Sequence, residues 1–80
     1  MTPSIFREKG YRFYFLSREE ERMHIHVTGD EGEAKFWIEP IVSLATAHGL
    51  SPRKLNEINK IVEEHKNEIT KAWQRHFSKR

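Results

Sequence analysis

His24-Ile25-His26-Val27-Thr28-Gly29-Asp30-Glu31-Gly32-Glu33-Ala34-Lys35-Phe36-Trp37-Ile38-Glu39 carries the clearest backbone pattern in the chain. Polar and apolar residues alternate on both sides of Gly29-Asp30-Glu31-Gly32, the period of a half-buried strand. The four central residues, two of them glycine, signal a tight hairpin without fixing its turn type. Pro40 stops the second run, because proline has no N–H to give to a ladder. The pattern predicts an antiparallel hairpin with one apolar and one polar face.

Upstream, Tyr11-Arg12-Phe13-Tyr14-Phe15-Leu16 is aromatic-rich and strand-like, and Lys9-Gly10 joins it to a short strand at Ser4–Glu8. Ser17-Arg18-Glu19-Glu20-Glu21-Arg22 is wholly polar and reads as a solvated loop. Downstream the period lengthens. Ile41, Leu44, Ala45 and His48 fall on one helical side, which predicts a helix over about 41–48 with Gly49 as its left-handed terminator. Ser51 reads as an N-cap and Pro52 as the first helical residue of a long helix over about 52–78. Leu55, Ile58, Val62, His65, Ile69, Ala72/Trp73 and His76/Phe77 form its apolar stripe. No helix of equal length exists to cover that stripe, so it packs on the sheet or on a second copy in a homodimer. The expected fold is α+β: a four-stranded antiparallel meander within 4–39, then two helices on one face, in a single domain spanning 1–80.

Composition agrees. Eighty residues are enough for one small domain, and 36% hydrophobic with 32% charged residues gives a modest core. A chain of this size buries about 60–65% of the surface it exposes when unfolded. The absence of cysteine excludes disulfides, thiolate metal sites and cysteine nucleophiles. Fourteen Lys+Arg against twelve Asp+Glu leave +2, with five histidines that add charge in acid. That balance is mildly basic, short of a protein that coats DNA. The N-terminus meets charge at Arg7 without an apolar run, and Ile41–Ala47 is too short to span a bilayer. A cytoplasmic protein with no membrane partner is expected.

Strand alternation sorts the side chains. Tyr11, Phe13, Phe15, Ile25, Val27, Ala34, Phe36 and Ile38 turn toward the helices. Arg12, Tyr14, His24, His26, Lys35, Trp37 and Glu39 remain on an open face. Large aromatics beside cations on a wet face mark recognition surfaces. Cross-strand pairing, or cover from the loop at 17–23 or a dimer partner, accounts for the same residues structurally.

His24 and His26, at i and i+2 on one strand, project side by side. A metal site needs at least a third ligand, which Glu33 or Glu39 on the neighbouring strand could supply, but nothing in the spacing requires it, so no metal is assigned. As catalytic residues His24 and His26 suit acid–base work near neutrality, with Lys35 or Arg12 stabilising the charge of a phosphorane during RNA cleavage. No Ser-His-Asp spacing, paired carboxylates or Gly-rich phosphate loop is present, and no cofactor is expected. His65 reads as a satisfied interior histidine, and His48 as a helix C-terminal residue that suits the dipole. Lys71, Arg75, Lys79 and Arg80 make a cationic last turn of the same kind. Arg53 and Lys54 sit in a first turn, where positive charge is unfavourable, and point to phosphate contact beside that helix N-terminus. The connection Gly49-Leu50-Ser51 permits a helix-turn-helix, but a second helix apolar along its whole length has no base-reading face.

Gly10-Tyr11-Arg12-Phe13-Tyr14-Phe15, His24-Ile25-His26-Val27 and Gly32-Glu33-Ala34-Lys35-Phe36-Trp37-Ile38-Glu39-Pro40 together resemble one family of small prokaryotic proteins, domain of unknown function forty-one-sixty. The resemblance covers nearly the whole chain. It implies a stand-alone small domain whose gene lies beside that of a second small protein, as in a toxin–antitoxin pair. It also implies that His24, His26, Lys35, Trp37 and Glu39 belong to the family pattern, but it carries over no catalytic residue.

The leading expectation is a nucleic-acid-interacting protein, the toxin-like half of a two-protein system acting on RNA. Tyr14 and Trp37 would stack bases while Arg12 and Lys35 hold phosphates. The alternative is a non-catalytic module that binds a small partner protein, encoded nearby, through the same face or an edge strand. A metal-dependent hydrolase is the weakest reading.

Overall fold

The computed structural model describes residues 4–16 and 22–77. Five strands, β1 (Ser4–Glu8), β2 (Tyr11–Tyr14), β3 (His24–Thr28), β4 (Glu33–Trp37) and β5 (Ser43–His48), precede helices α1 (Pro52–Glu64) and α2 (Lys66–Phe77). The strands form one antiparallel sheet in the order β1-β2-β3-β4-β5. The α+β class and the sheet-then-helices order stand as expected. Among the described residues the sheet has five strands rather than four.

The meander follows from its turns. Lys9 and Gly10 both adopt positive φ, 54° and 83°, as a two-residue hairpin loop between right-twisted strands demands. The Gly29 N–H donates to the Gly32 carbonyl at 2.9 Å and closes the β3–β4 turn. Every apolar residue sorted toward the helices is buried: Tyr11, Phe13 and Phe15, Ile25 and Val27, and Ala34, Phe36 and Ile38. Ile58, Ile61 and Val62 of α1, with Ile69 and Trp73 of α2, complete that core. The helical stripe therefore packs on its own sheet and needs no second copy for cover.

Two expectations are corrected. The segment at 41–48 contains no helix; its residues 43–48 are β5, hydrogen-bonded along β4 with Lys35 opposite Thr46 and Glu33 opposite His48. Eight residues hold barely two helical turns, so a few apolar coincidences imitate a helical side. Without β5 the N–H and C=O groups along the outer edge of β4 would lack a ladder, and that demand outweighs a marginal local preference. Gly49 does adopt the left-handed conformation, with φ 79°, but it ends a strand. A Cβ there would lie 2.5 Å from the Glu31 carbonyl oxygen, so the β3–β4 turn packs directly on the exit of β5.

The long helix is likewise two. Ser51 caps α1 as expected, its Oγ accepting from the Lys54 N–H at 3.2 Å, with Pro52 in the first turn. At His65 the backbone leaves helical geometry (φ −103°, ψ 15°), and its N–H is shared between the Ile61 and Val62 carbonyls at 3.0 and 3.2 Å. Neither proline nor glycine causes this break. Its physical anchor is the His65 side chain, tied at both ring nitrogens and stacked on Phe6 of β1 at 4.0 Å between ring centroids. Among the described residues, no helix is long and apolar enough to cross a membrane.

Candidate nucleic-acid interface

The open face is a grid set by the strand register. One row runs Tyr14, His26, Lys35, Thr46 across β2 to β5, and the next runs Arg12, Thr28, Glu33, His48. A third row holds His24, Trp37 and Ser43. The alternation of β2, β3 and β4 thus brings Arg12, Tyr14, His26, Lys35 and Trp37 onto one surface, all of them partly exposed.

Cations lie over the aromatics of this surface. The Arg12 guanidinium sits 4.4 Å from the Tyr14 ring centroid, and its Nε–H donates to Ser4 Oγ at 2.6 Å. Trp37 is flanked by Arg22 at 4.2 Å and the Lys35 ammonium at 4.6 Å. Tyr14 stacks on His26 at 5.6 Å, and its hydroxyl shares a 2.9 Å hydrogen bond with Thr28 Oγ1. Each such cation–aromatic contact contributes about 0.5–1 kcal/mol at an exposed site. They hold the aromatic planes and the charges in register beside one another.

A cavity of about 310 Å³ opens into this face, lined by Tyr14, Leu16, His26, Glu33, Ala34, Lys35, Thr46 and His48. His48, which the sequence pattern places at a helix terminus, is thereby a strand residue on the candidate site. Thr46 joins it for the same reason. Neither was legible as a site residue, because assigning 41–48 to a helix removed β5 from the face. Arg22 was legible only as part of a polar loop, and the rest of that loop, Ser17–Glu21, lies outside the described residues.

His24 departs from expectation most. It is 1% exposed, with its ring edge-on to Trp37 at 5.7 Å, Trp73 of α2 at 5.4 Å and His26 at 5.0 Å. Its Nδ1–H donates to the Arg22 carbonyl at 2.8 Å. The end of α2 covers the start of β3, and a ring held inside this aromatic cluster is out of reach of an external substrate. The expectation that His24 lies on a wet face and forms a catalytic pair with His26 is corrected accordingly. Glu39 lies past the end of β4, exposed, and its carbonyl accepts from Arg22 Nε–H at 3.2 Å.

Arg53 and Lys54 belong to a different surface. Lys54 Nζ pairs with Glu31 at 3.1 Å, and that hydrogen bond, reinforced by the Glu31 charge, raises Lys54 above the ordinary lysine value. The unfavourable position of Lys54 in a first turn is thus compensated by Glu31 of the β3–β4 turn. Arg53 lines a separate cavity with Lys9, Asn56, Glu57 and Lys60. His65, expected to be a satisfied interior histidine, is satisfied but only partly buried. Its Nδ1–H donates to Glu68 at 2.6 Å and its Nε2–H to Glu8 at 2.8 Å. The Glu68 hydrogen bond foremost, then that to Glu8, holds its pKa above the ordinary value against the opposing effect of burial. Lys79 and Arg80 lie outside the described residues.

The model of the family described as Domain of unknown function (DUF4160) matches residues 10–74, so the chain belongs to that family. No curated protein and no solved structure matches it.

Proposed function

We propose that this member of the DUF4160 family binds single-stranded RNA across the open face of its sheet, as the toxin-like component of a two-protein system. The observation that carries the reading is the juxtaposition of Tyr14 and Trp37 with Arg12, Arg22 and Lys35, each cation within 4.6 Å of an aromatic ring. Unpaired bases stack on aromatic or guanidinium planes while flanking cations take the phosphates, which is how sheet surfaces read single strands. With a net charge of only +2, the reading relies on the local cluster of Arg12, Arg22 and Lys35 beside the aromatics rather than on the overall charge of the chain.

The test is binding of a short mixed-sequence single-stranded RNA as salt is varied. Neutralising three phosphates with Arg12, Arg22 and Lys35 gives a slope of log K against log salt of about −2. Trp37→Ala weakens binding by about 1–3 kcal/mol if Trp37 stacks a base. Binding that ignores salt, or a folded Trp37→Ala variant with unchanged affinity, overturns the reading.

A second reading has its own observation. β5 is an edge strand with no Lys, Arg, Asp or Glu between Ser43 and His48; its Leu44 is 46% exposed, and Ile41 just before it 66%. Natural edge strands are ordinarily protected by charge or proline. In this reading, a strand of a small partner protein encoded nearby pairs with β5, and Leu44→Lys abolishes that association while RNA binding survives.

A further inference from the structure

The cavity in the open face holds two imidazoles that the sequence did not pair. His26 on β3 and His48 on β5 both line it, with Lys35 on the intervening strand and Glu33 opposite His48 in register. The two histidines are two strands and one register row apart, about 10 Å across the sheet and about 7 Å along it, so their Cα atoms stand about 12 Å apart. That spacing, with Lys35 between them and both residues lining one cavity of about 310 Å³, suits two side chains reaching a single phosphodiester from opposite sides. Tyr14 and Leu16 supply the wall on the His26 side, against which a base can rest.

We propose that this cavity cleaves the RNA strand bound across the face, with His26 and His48 as the catalytic acid–base pair; the proposal rests on the RNA-binding reading. One imidazole, unprotonated, takes the proton from the ribose 2′-hydroxyl. The freed oxygen pair forms a bond to phosphorus, and the bond from phosphorus to the 5′-oxygen breaks with its electron pair going to that oxygen. The second imidazole, protonated, gives its proton to the leaving 5′-oxygen. The products are a 2′,3′-cyclic phosphate and a 5′-hydroxyl, and exchange with water restores both rings. The Lys35 ammonium offsets the charge that builds on the phosphorane oxygens. Glu33 is placed to accept the remaining ring N–H of His48 and fix its tautomer, an orienting role rather than a catalytic one.

This chemistry demands the two residues together, because imidazole is the side chain that both takes and gives protons near neutrality. His24 is excluded from it by its burial and its hydrogen bond to the Arg22 carbonyl. His65 is excluded by its place against Glu8 and Glu68, outside this cavity.

The experiment uses the full chain with a short single-stranded RNA and with its all-2′-deoxy analogue, which lacks the attacking hydroxyl. Affinity is measured on the analogue, and cleavage on the RNA from pH 5 to 8, with end-group analysis of the products. The expected result is a bell-shaped rate profile, a 2′,3′-cyclic phosphate end, and a 10²–10⁴-fold rate loss in His26→Ala and in His48→Ala. Affinity for the analogue should change by only a few-fold in both, and His48→Gln should behave as His48→Ala does. An RNA that binds yet stays intact across that range overturns the cleavage proposal and leaves the binding reading standing. So does a His48→Ala variant that cleaves at the wild-type rate. If neither strand binds, the RNA reading fails and the cleavage proposal falls with it.

Discussion

Replacing His65 with Ala tests the junction that joins the two helices to the edge of the sheet. Both ring nitrogens face carboxylates, Glu68 at 2.6 Å and Glu8 at 2.8 Å. A neutral ring would set a bare nitrogen lone pair against one of those oxygens, so the imidazolium is the form this geometry favours. Hydrogen bonds to charged groups contribute about 1.5–3 kcal/mol each when shielded, and exposed ion pairs about 0.2–1 kcal/mol. His65 is 26% exposed and Glu68 49%, which puts both bonds toward the weaker end. With the stack on Phe6, worth about 0.5–1.5 kcal/mol, His65→Ala is expected to cost about 2 kcal/mol. For a domain of this length that lowers Tm by about 8–16 °C.

The pH dependence has a definite sign. The native pKa lies above the ordinary histidine value of 6.5, so the folded chain holds this proton more tightly than the unfolded one does. The stabilisation is therefore complete below about pH 6.5 and is lost as pH rises through the raised native value. Thermal melts of wild type and His65→Ala between pH 5 and 9 should show a Tm difference that is largest at the acid end and narrows toward the alkaline end. A difference below about 3 °C at pH 6, or one that is flat or widens with rising pH, refutes the clamp.

Other substitutions check the packing. Val62→Ala in α1, fully buried against the sheet, should cost about 2–4 kcal/mol in denaturant unfolding by the lost transfer and cavity terms; a loss below about 1 kcal/mol contradicts that packing. His24→Ala should destabilise by a comparable amount, and any activity that remains should track the folded fraction. A stable His24→Ala variant that has lost function would restore His24 to the site. Gly32→Ala should lower stability measurably in the same assay, because the new Cβ would collide with the His48 carbonyl; an unchanged midpoint would show that the β3–β4 turn does not rest on β5 as described.

The sheet was legible because its residues repeat at period two with few exceptions. Each residue of β2, β3 and β4 assigned to the helix side by alternation is buried. The strand β5 was not legible. Ser43-Leu44-Ala45-Thr46-Ala47-His48 mixes small and polar residues whose local preference is weak. What makes it a strand is the open ladder of β4, a partner that no local window contains. The break at His65 has no local signal for a similar reason. The apolar stripe continues through it, while its anchors, Glu8 and Phe6, lie some sixty positions earlier in the chain.

The same long-range effect divides the histidines of the face. Alternation places His24 and His26 identically, and a local reading gives them one role. The tertiary structure brings Trp73 from α2 onto His24 and β5 alongside β4, so that one ring is enclosed and a different histidine, His48, faces the cavity with His26. Burial changes what an imidazole is able to do. A ring whose Nδ1–H is held by a backbone carbonyl inside an aromatic cluster fixes the start of β3, and its contribution is to stability. A ring at the rim of an open cavity is accessible to water, to substrate and to protons. The His-x-His spacing therefore serves two purposes two residues apart, with His24 holding the sheet and its α2 cover together and His26 facing outward. That division follows from where the end of α2 comes to rest.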